Sequence, residues 1–285
     1  MRLEGVFQID KIIDSALEED IGNGDITTTA IIDRSKKGQA RLVAKEEMVL
    51  AGIEIFTRVF TRIDQKITVK CVYHDGDVVP SGYDIGTIHG FLQGILIGER
   101  TALNFLQHLS GIATLTRRYV EKTNPSKVKV IDTRKTMPGL RILEKYAVRV
   151  GGGFNHRHGL FDGVLVKDNH IAAAGSITRA LKEIKVNVPH TLKIEVEVED
   201  IEGLEEAIAA GADAILLDNM SVTDMKKAVV LAKGKVLLEA SGGVTLETIG
   251  EIAKTGVNLV SVGALTHSAR SVDISLSIRR YGRIN

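Results

Sequence analysis

The spacing of apolar residues changes about a third of the way along the chain. Residues 39–50 and 66–97 alternate β-branched and polar side chains between Gly, Asp and Pro turns, which is typical of β-strands. Residues 8–20 and 52–63 place their apolar side chains at helical intervals instead, and residues 21–31 are interpreted as a loop. The first part of the chain is therefore predicted to be a mixed α+β module with largely antiparallel strands.

A longer helical pattern starts at Glu99 and continues to Thr123, and the domain boundary is placed within it. Beyond this helix, short apolar runs alternate with amphipathic segments at intervals of roughly 20 to 35 residues, which indicates βα units around a parallel sheet. Ser176, Asp200 and Ser221 are the predicted N-caps of intervening helices. The apolar runs are residues 128–131, 163–166, 192–198, 214–217, 236–239 and 259–262.

Each of these apolar runs ends at a polar residue or a glycine. In a parallel α/β barrel such positions share one rim, where the active sites of barrels lie. The turns at residues 239–245 and 261–268 also match the place where many barrels bind a phosphate group, although the Gly-Gly pair in the first of them is equally consistent with a simple turn. A doubly wound open sheet is the alternative fold. The rim residues are Asp132, Lys167, Glu197, Asp218, Ser241, Gly242, Gly243 and Gly263.

The overall charge excludes some classes of partner. The chain has 37 basic and 36 acidic residues and few aromatic ones, so it lacks both a phosphate-tracking stripe and stacking platforms for nucleic acid. A single cysteine, Cys71, excludes an internal disulfide framework. The chain has no secretory signal pattern and no apolar run of about 20 residues, so a cytoplasmic location without membrane contact is expected.

Cationic side chains are concentrated between residues 132 and 170. Seven Lys or Arg residues stand there against four acids, beside three consecutive glycines, while the whole chain has a net charge of only +1. Backbone amides and Arg side chains bind phosphate and carboxylate oxygens well. The ligand is therefore predicted to be small and highly anionic.

Several of these residues also have simpler interpretations. Arg141, Lys145 and Arg149 recur at helical spacing, which most simply gives a solvated helix face, although a face turned towards an anion is the alternative. His156 and His158 could indicate a zinc site, but their spacing and the absence of an obvious third ligand disfavour it.

The acidic residues of the predicted strand at 192–198 are ambiguous. Glu195, Glu197 and Glu199 alternate along the chain, so all three point the same way and spacing alone does not choose among them. Lys167 could form a routine surface pair with its neighbour, but its position at a strand end favours a functional role.

Long motifs in fixed order make the family relationship specific. The chain closely resembles the quinolinate phosphoribosyltransferase family over essentially its whole length, through GERTALN, DTRKTMPGLR, GGGFNHRHGLFDGVLVKDNH, EVEV, LLDN, EASGG and SVGALTH. One departure is Met137, where the family usually carries a second threonine. The resemblance implies an N-terminal α+β open-sandwich-like domain over residues 1–108, an incomplete parallel α/β barrel over residues 109–269, and a final segment, residues 270–285, that returns to the first domain.

The resemblance also implies a reaction. Quinolinate nitrogen would join the anomeric carbon of phosphoribosyl pyrophosphate, with Mg²⁺ present, releasing pyrophosphate and carbon dioxide and giving nicotinate mononucleotide for NAD biosynthesis. Lys135, Lys167, Glu197 and Asp218 would act in catalysis, and the two acids would help to orient the metal. The implied substrate-binding residues are Arg100, Thr133, Arg134, Lys135, His156, Arg157, Lys167, Glu197, Asp218, Ser241, Gly242, Gly243, Gly263, Ala264 and His267.

The same family pattern implies an assembly of at least two chains. The expected unit is a homodimer, or a hexamer built from dimers, in which Arg100 reaches into the site of the neighbouring subunit. Two alternative functions remain: an aldolase that forms a Schiff base on Lys167, and a phosphate-ligand sensor or paralogue with a different substrate.

Overall fold

The computed structural model describes residues 7–278, which fold into two compact units. The first unit comprises residues 7–115, 137–152 and 269–278, and the second comprises residues 116–136 and 153–268. The placement of residues 137–152 with the first unit was not foreseen from the sequence. The domain boundary at residue 108 stays a prediction.

The elements up to residue 122 combine short strands with four helices. They are α1 (Phe7–Ile21), α2 (Ile26–Ile31), β1 (Lys37–Ala44), β2 (Met48–Val49), α3 (Ile53–Ile63), β3 (Thr68–Cys71), β4 (Val78–Val79), β5 (Asp84–Phe91) and α4 (Leu92–Lys122).

Strands and helices alternate through most of the remaining chain. The elements are β6 (Lys129–Ile131), α5 (Arg141–Val150), β7 (Val164–Val166), α6 (Asp168–Ala174), α7 (Ile177–Asn187), β8 (Ile194–Val198), α8 (Ile201–Ala209), β9 (Ala214–Asp218), α9 (Val222–Ala232), β10 (Leu237–Ser241), α10 (Ile249–Ala253), β11 (Leu259–Ser261), α11 (Ala264–His267) and β12 (Ile274–Ile278).

The first unit contains an antiparallel sheet with the strand order β12-β1-β5-β3. The last strand, Ile274–Ile278, pairs with β1 in register, so this part of the C-terminal segment belongs to the sheet. The prediction for residues 279–285 lies outside the described residues. Cys71 ends β3, and burial raises the pKa of its thiol to about 11, which fits a structural strand residue.

Two local predictions for the first unit were wrong. Residues 26–31 form helix α2 rather than a loop, because the Asp25 carboxylate accepts a hydrogen bond from Thr28 N at 2.8 Å and caps the helix. The strand predicted up to residue 97 ends at Phe91, where α4 begins. In both cases a helix start was missed, because short threonine-rich or glycine-containing segments have weak helical periodicity.

Helix α5 also departs from its predicted surface role. The side chain of Lys145 is completely buried, as is that of Glu144, while Arg149 is exposed and Arg141 is half-buried. The three basic residues therefore do not form one solvated face. Helical spacing shows which side chains share a face, but it does not show what that face packs against.

Asp75 connects α5 to the N-terminus of α3 within the first unit. Its carboxylate accepts hydrogen bonds from Gly52 N at 2.8 Å and Ile53 N at 3.1 Å, and the hydroxyl of Tyr146 donates to it at 2.6 Å. Gly52 has no side chain to cap the helix, so Asp75 supplies the acceptor that the first turn of α3 requires. Burial and the neighbouring Asp75 raise the pKa of Tyr146, which therefore stays a donor.

The six parallel strands of the second unit have the order β6-β11-β10-β9-β8-β7. From β7 to β11 each strand pairs with the next one in the chain, and the first strand, β6, pairs with the last, β11; this is the order of a barrel and not of a doubly wound sheet. No pairing between β6 and β7 occurs in the described residues, so the barrel is incomplete. All six apolar runs predicted as strands are confirmed.

The helix starts in the second unit follow the capping rules. The side chains of Ser176, Asp200 and Ser221 accept hydrogen bonds from backbone N–H groups in the first turns of α7, α8 and α9, as predicted. Among residues 7–278, none of the helices combines the length and the apolar composition that a bilayer-spanning segment requires.

Replacing Asp75 with alanine is expected to destabilise the first unit by about 2 to 4 kcal/mol, because α3 loses its cap and the Tyr146 hydroxyl loses its acceptor. Urea unfolding followed by circular dichroism measures this change. Tyr146→Phe, which removes one hydrogen bond and leaves the cap intact, is the matched control with an expected loss of about 1 kcal/mol. Equal losses in the two variants would contradict the capping role.

Candidate active site

Alternation along the parallel strands decides which side chains line the cavity of the second unit. Val166, Val196 and Val198 are buried on one face of the sheet. Leu165 and Glu197, which alternate with them along β7 and β8, are half-buried and belong to the opposite face. The register places Glu197 beside Leu216 and Leu216 beside Glu239, and it places Asp218 beside Ser241. Polar side chains from three neighbouring strands, β8, β9 and β10, are thereby brought together.

These side chains line a cavity of ≈ 260 Å³ within the second unit. Nine of the residues implied by the family resemblance line it, with four further residues that the sequence did not indicate. The nine are Thr133, Arg134, Lys135, His156, Arg157, Lys167, Glu197, Asp218 and Ser241, and the four are Leu165, Leu216, Glu239 and Ser261.

Two guanidinium groups face this cavity. The Nη1 of Arg157 donates to the carbonyl of Gly163 at 2.9 Å, and its buried Nε has no hydrogen-bond partner among the described residues. Burial, followed by the positive charge of Arg134, lowers the pKa of Arg157. Like charges held this close are stabilised when an anion binds between them, so the pair is suited to a carboxylate or phosphate group.

Lys167 lies at the carboxyl end of β7 and forms an ion pair with the Glu197 carboxylate. A lysine whose Nζ is engaged in an ion pair is poorly placed to attack a carbonyl group. The backbone of Lys167 is held by His170, whose Nδ1 accepts a hydrogen bond from Lys167 N at 3.0 Å. This arrangement disfavours the Schiff-base alternative.

The ambiguity among the three acidic residues of β8 is resolved by their contacts. Glu197 lines the cavity and pairs with Lys167, whereas Glu195 contacts the ring of His156. Glu199 follows the strand and is exposed to solvent.

The turn after β10 depends on two residues with left-handed backbone conformations. Gly242 has φ +91°, and a Cβ built on it would lie 2.1 Å from the Asn219 Oδ1. Asn219 itself has φ 54°, and its backbone N–H donates to the carbonyl of Ser241 at 2.9 Å. The role of Asn219 in this turn was not predicted from the sequence. Its position directly after the strand-end residue Asp218 was the available signal, because Asn adopts left-handed backbone conformations more readily than most residues.

The turn after β11 lies against the loop that carries Lys135. A Cβ on Gly263 would approach the Nε2 of His267 at 3.1 Å and the Cδ of Lys135 at 3.2 Å. The buried hydroxyl of Thr266 donates to the carbonyl of Lys135 at 2.7 Å and joins the two segments. Gly242, Gly243, Gly263, Ala264 and His267 are not among the residues that line the cavity, although Gly263 and His267 lie beside Lys135.

Asp132 fixes the segment that carries His156. It is completely buried, and its carboxylate accepts hydrogen bonds from His156 N at 2.9 Å and from the Asn155 amide at 2.6 Å. These contacts connect Asp132 to residues 155 and 156.

Beneath the basic residues, Glu239 occupies the middle of β10 with 1% of its surface exposed. Neither of its carboxyl oxygens has a hydrogen-bond partner among the described residues. Burial, followed by the charge of Glu195, raises the pKa of Glu239 well above its usual range, and the Ser261 hydroxyl opposes this change only partly.

Arg100 lies outside this group of residues. It is an exposed residue of α4 in the first unit and does not line the cavity.

The fold and the site define the class of protein. A parallel α/β sheet with cations and acids around a cavity at the carboxyl ends of its strands is characteristic of enzymes that bind small anionic substrates at that edge.

Comparison with known proteins identifies the family. The model for the quinolinate phosphoribosyl transferase C-terminal domain matches residues 112–277, and that for the N-terminal domain matches residues 25–110. The chain is 46% identical over 271 residues to a probable nicotinate-nucleotide pyrophosphorylase (carboxylating) of Bacillus subtilis, covering 95% of this chain and 93% of the relative. The chain belongs to the quinolinate phosphoribosyltransferase family.

Solved structures agree with this assignment. The crystal structure of NadC from Streptococcus pyogenes superposes with a TM-score of 0.92 at 46% identity, covering 96% of this chain and 98% of that one. The nicotinate-nucleotide pyrophosphorylase from Francisella tularensis gives a TM-score of 0.92 at 43% identity, covering 95% and 96% of the two chains. The predicted fold class, an α+β domain followed by an incomplete parallel barrel, is confirmed.

Glu239→Gln is expected to stabilise the protein more at high pH than at low pH. A raised pKa in the folded state means that wild-type stability is complete below the unfolded pKa and falls as the pH rises, by about 1.4 kcal/mol per pH unit, until the folded pKa is reached. The glutamine carries no such penalty. Urea unfolding at pH 5, 6.5 and 8 measures the difference, with Glu205→Gln on the exposed side of α8 as the control. A pH-independent difference for Glu239→Gln would contradict the raised pKa of Glu239.

Proposed function

We propose that the chain transfers the phosphoribosyl group of phosphoribosyl pyrophosphate to quinolinate and releases pyrophosphate and carbon dioxide, which gives nicotinate mononucleotide for NAD biosynthesis. One observation carries this proposal: Arg134, Lys135, Arg157 and Lys167 converge on a single cavity of ≈ 260 Å³. The substrates bring two carboxylates, a 5-phosphate and a pyrophosphate to one place, and so much negative charge requires cations in the site.

The cationic residues would divide the anionic groups between them. Arg134 and Arg157 lie close enough for their charges to interact and would hold the carboxylates of quinolinate. The turn at Ser241 and Gly242, with Gly243, Gly263, Ala264 and His267, would hold the 5-phosphate through backbone N–H groups. The base and the ribose would then meet near Lys167 and Glu197.

The acids would act on the ribose. When pyrophosphate leaves, the anomeric carbon develops positive charge, and the carboxylates of Glu197 and Asp218 at the edge of the cavity would stabilise it. Quinolinate nitrogen forms the new bond as the bond to pyrophosphate breaks. The carboxyl group next to the nitrogen then leaves as carbon dioxide, the quaternised ring takes up its electron pair, and a proton replaces it.

The donor set of the site also fits Mg²⁺. Glu197 and Asp218 offer carboxylate oxygens, which this ion prefers, and because Glu197 already pairs with Lys167, the substrate phosphates and water would complete the coordination. The ion would supply positive charge to the departing pyrophosphate.

We further propose a homodimer, or a hexamer built from dimers, in which Arg100 completes the site of a second chain. Support comes from its exposure on α4 and its position outside the cavity of its own second unit. The sensor alternative makes no use of Glu197 and Asp218, which line the same cavity as the Arg pair, and the family relationship ranks a paralogue with a different substrate below the transferase.

The reaction is tested by incubating the purified protein with quinolinate, phosphoribosyl pyrophosphate and Mg²⁺ while nicotinate mononucleotide and carbon dioxide are measured together. Equal amounts of the two products from quinolinate, and none from nicotinate, are expected. Product from nicotinate would contradict the assignment of the second carboxylate to the Arg residues. Omission of Mg²⁺ with added chelator should abolish turnover.

The sharing of Arg100 is tested by mixing two inactive variants. Arg100→Ala and Lys167→Ala should each lose nearly all activity as pure proteins. After mixing and subunit exchange, random dimers contain one intact site in every four, so activity should return to about one quarter of wild type. A mixture that stays inactive, although mass spectrometry shows mixed dimers, would place Arg100 outside the neighbouring site.

A further inference from the structure

The loop that carries Lys135 has no regular secondary structure. It follows β6, and residues 132–136 belong to neither a strand nor a helix. The shape of such a segment depends on individual hydrogen bonds, because no ladder supports it. Two hydroxyl groups bind the backbone of Lys135: its N–H donates to the Thr133 Oγ1 at 3.0 Å, and its carbonyl accepts the Thr266 hydroxyl at 2.7 Å.

The direction of the Thr266 hydroxyl is unlike that of a buried threonine with a purely local role. The hydroxyl of Thr255 donates to the carbonyl three residues earlier at 2.7 Å. For Thr266 the corresponding carbonyl, that of Gly263, lies farther away at 3.3 Å, and it already accepts the backbone N–H of Thr266 at 3.1 Å. The hydroxyl is therefore directed at Lys135, a residue distant in the chain.

The surroundings of this hydrogen bond make it effective. Thr266 is 2% exposed, so water does not compete for its hydroxyl. A Cβ built on Gly263 would lie 3.2 Å from the Cδ of Lys135, so the stem of the lysine packs against the turn after β11. Lys135 is itself exposed and ends in a flexible side chain, so its backbone and stem determine where the cation can reach.

We propose that Thr266 is a positioning residue for the transfer reaction. Its hydroxyl fixes the Lys135 carbonyl to the turn after β11, so that the Lys135 loop and this turn act as one rigid piece. The inference rests on the proposed function, in which Lys135 is a catalytic cation and the turn contributes to the 5-phosphate site. Thr266 does not line the cavity, so it acts through Lys135 and not on a substrate.

The substrate explains why the two segments must be fixed to each other. Phosphoribosyl pyrophosphate would be held by its 5-phosphate at one end and would react at its anomeric carbon at the other. The separation between the turn and the Lys135 ammonium then decides how well the cation meets the charge of the departing pyrophosphate. A cation displaced by about 1 Å still attracts the bound substrate, but it stabilises the transition state less well. The chemical step should therefore respond more than binding does.

Single-turnover and steady-state kinetics supply the functional readout. Thr266→Val removes the hydroxyl and keeps the shape of the side chain. It should lower the single-turnover rate at saturating substrates by about tenfold or more and leave both KM values within about threefold of wild type. Thr266→Ser keeps the donor and should restore the rate to within about threefold of wild type.

Thr255→Val is the matched control, because it removes a buried hydroxyl whose hydrogen bond is local. It should lower the urea midpoint by an amount similar to that of Thr266→Val, and it should leave the single-turnover rate within about twofold of wild type. The comparison separates a loss of stability from a loss of positioning.

Hydrogen exchange measured by NMR tests the anchoring without turnover. The amides of Lys135 and Thr136 donate within the loop, to the Thr133 Oγ1 and to the Arg134 carbonyl. In the substrate-free protein both should exchange about tenfold faster in Thr266→Val than in wild type, and they should be unchanged in Thr266→Ser and Thr255→Val. Thr266→Ala, which also lacks the hydroxyl, takes the place of Thr266→Val if the latter does not fold.

Unchanged exchange at Lys135 and Thr136 in Thr266→Val would overturn the anchoring. Faster exchange with an unchanged single-turnover rate, or a rate loss that Thr255→Val shares, would overturn the positioning role. If wild type fails to use quinolinate while Thr266→Val still accelerates exchange in the loop, the transferase is refuted and the anchoring of Lys135 stands.

Discussion

The shared direction of six strands is the constraint on which the site depends. Because the strands are parallel and neighbours in chain order, their carboxyl ends meet at one edge, and alternation then selects every second side chain for the cavity. Lys167, Glu197, Asp218 and Ser241 come together in this way from four separate segments of the chain. If the register of one strand shifted by one residue, the polar side chain that this strand places in the cavity would be replaced by an apolar side chain that is now buried.

The electrostatics of the site have two layers with opposite character. Near the opening, Arg134 and Arg157 repel each other, and this unfavourable arrangement is relieved by an anionic ligand. On β10, Glu239 is buried beside Glu195, and burial followed by the charge of Glu195 raises its pKa.

Much of the fold was predictable from the chain, because burial imposes regular spacing. The six strands and the caps at Ser176, Asp200 and Ser221 follow from periodicity and local hydrogen bonding alone. The buried Lys145 was not predictable, nor was the grouping of residues 137–152 with the first unit, because these depend on contacts between distant segments. Glu239 was missed for a related reason: an acid at a strand position shows neither its burial nor its partners until the neighbouring strands are placed.

The close approach of Asn219 to Gly242 has a consequence for how this protein can change. With only 2.1 Å between the amide oxygen and the position of a missing Cβ, a side chain at residue 242 would require the Asn219 side chain to move or to be replaced. A change at residue 242 in the β10 turn therefore depends on the residue in the β9 turn, and substitutions at the two positions are expected to be non-additive.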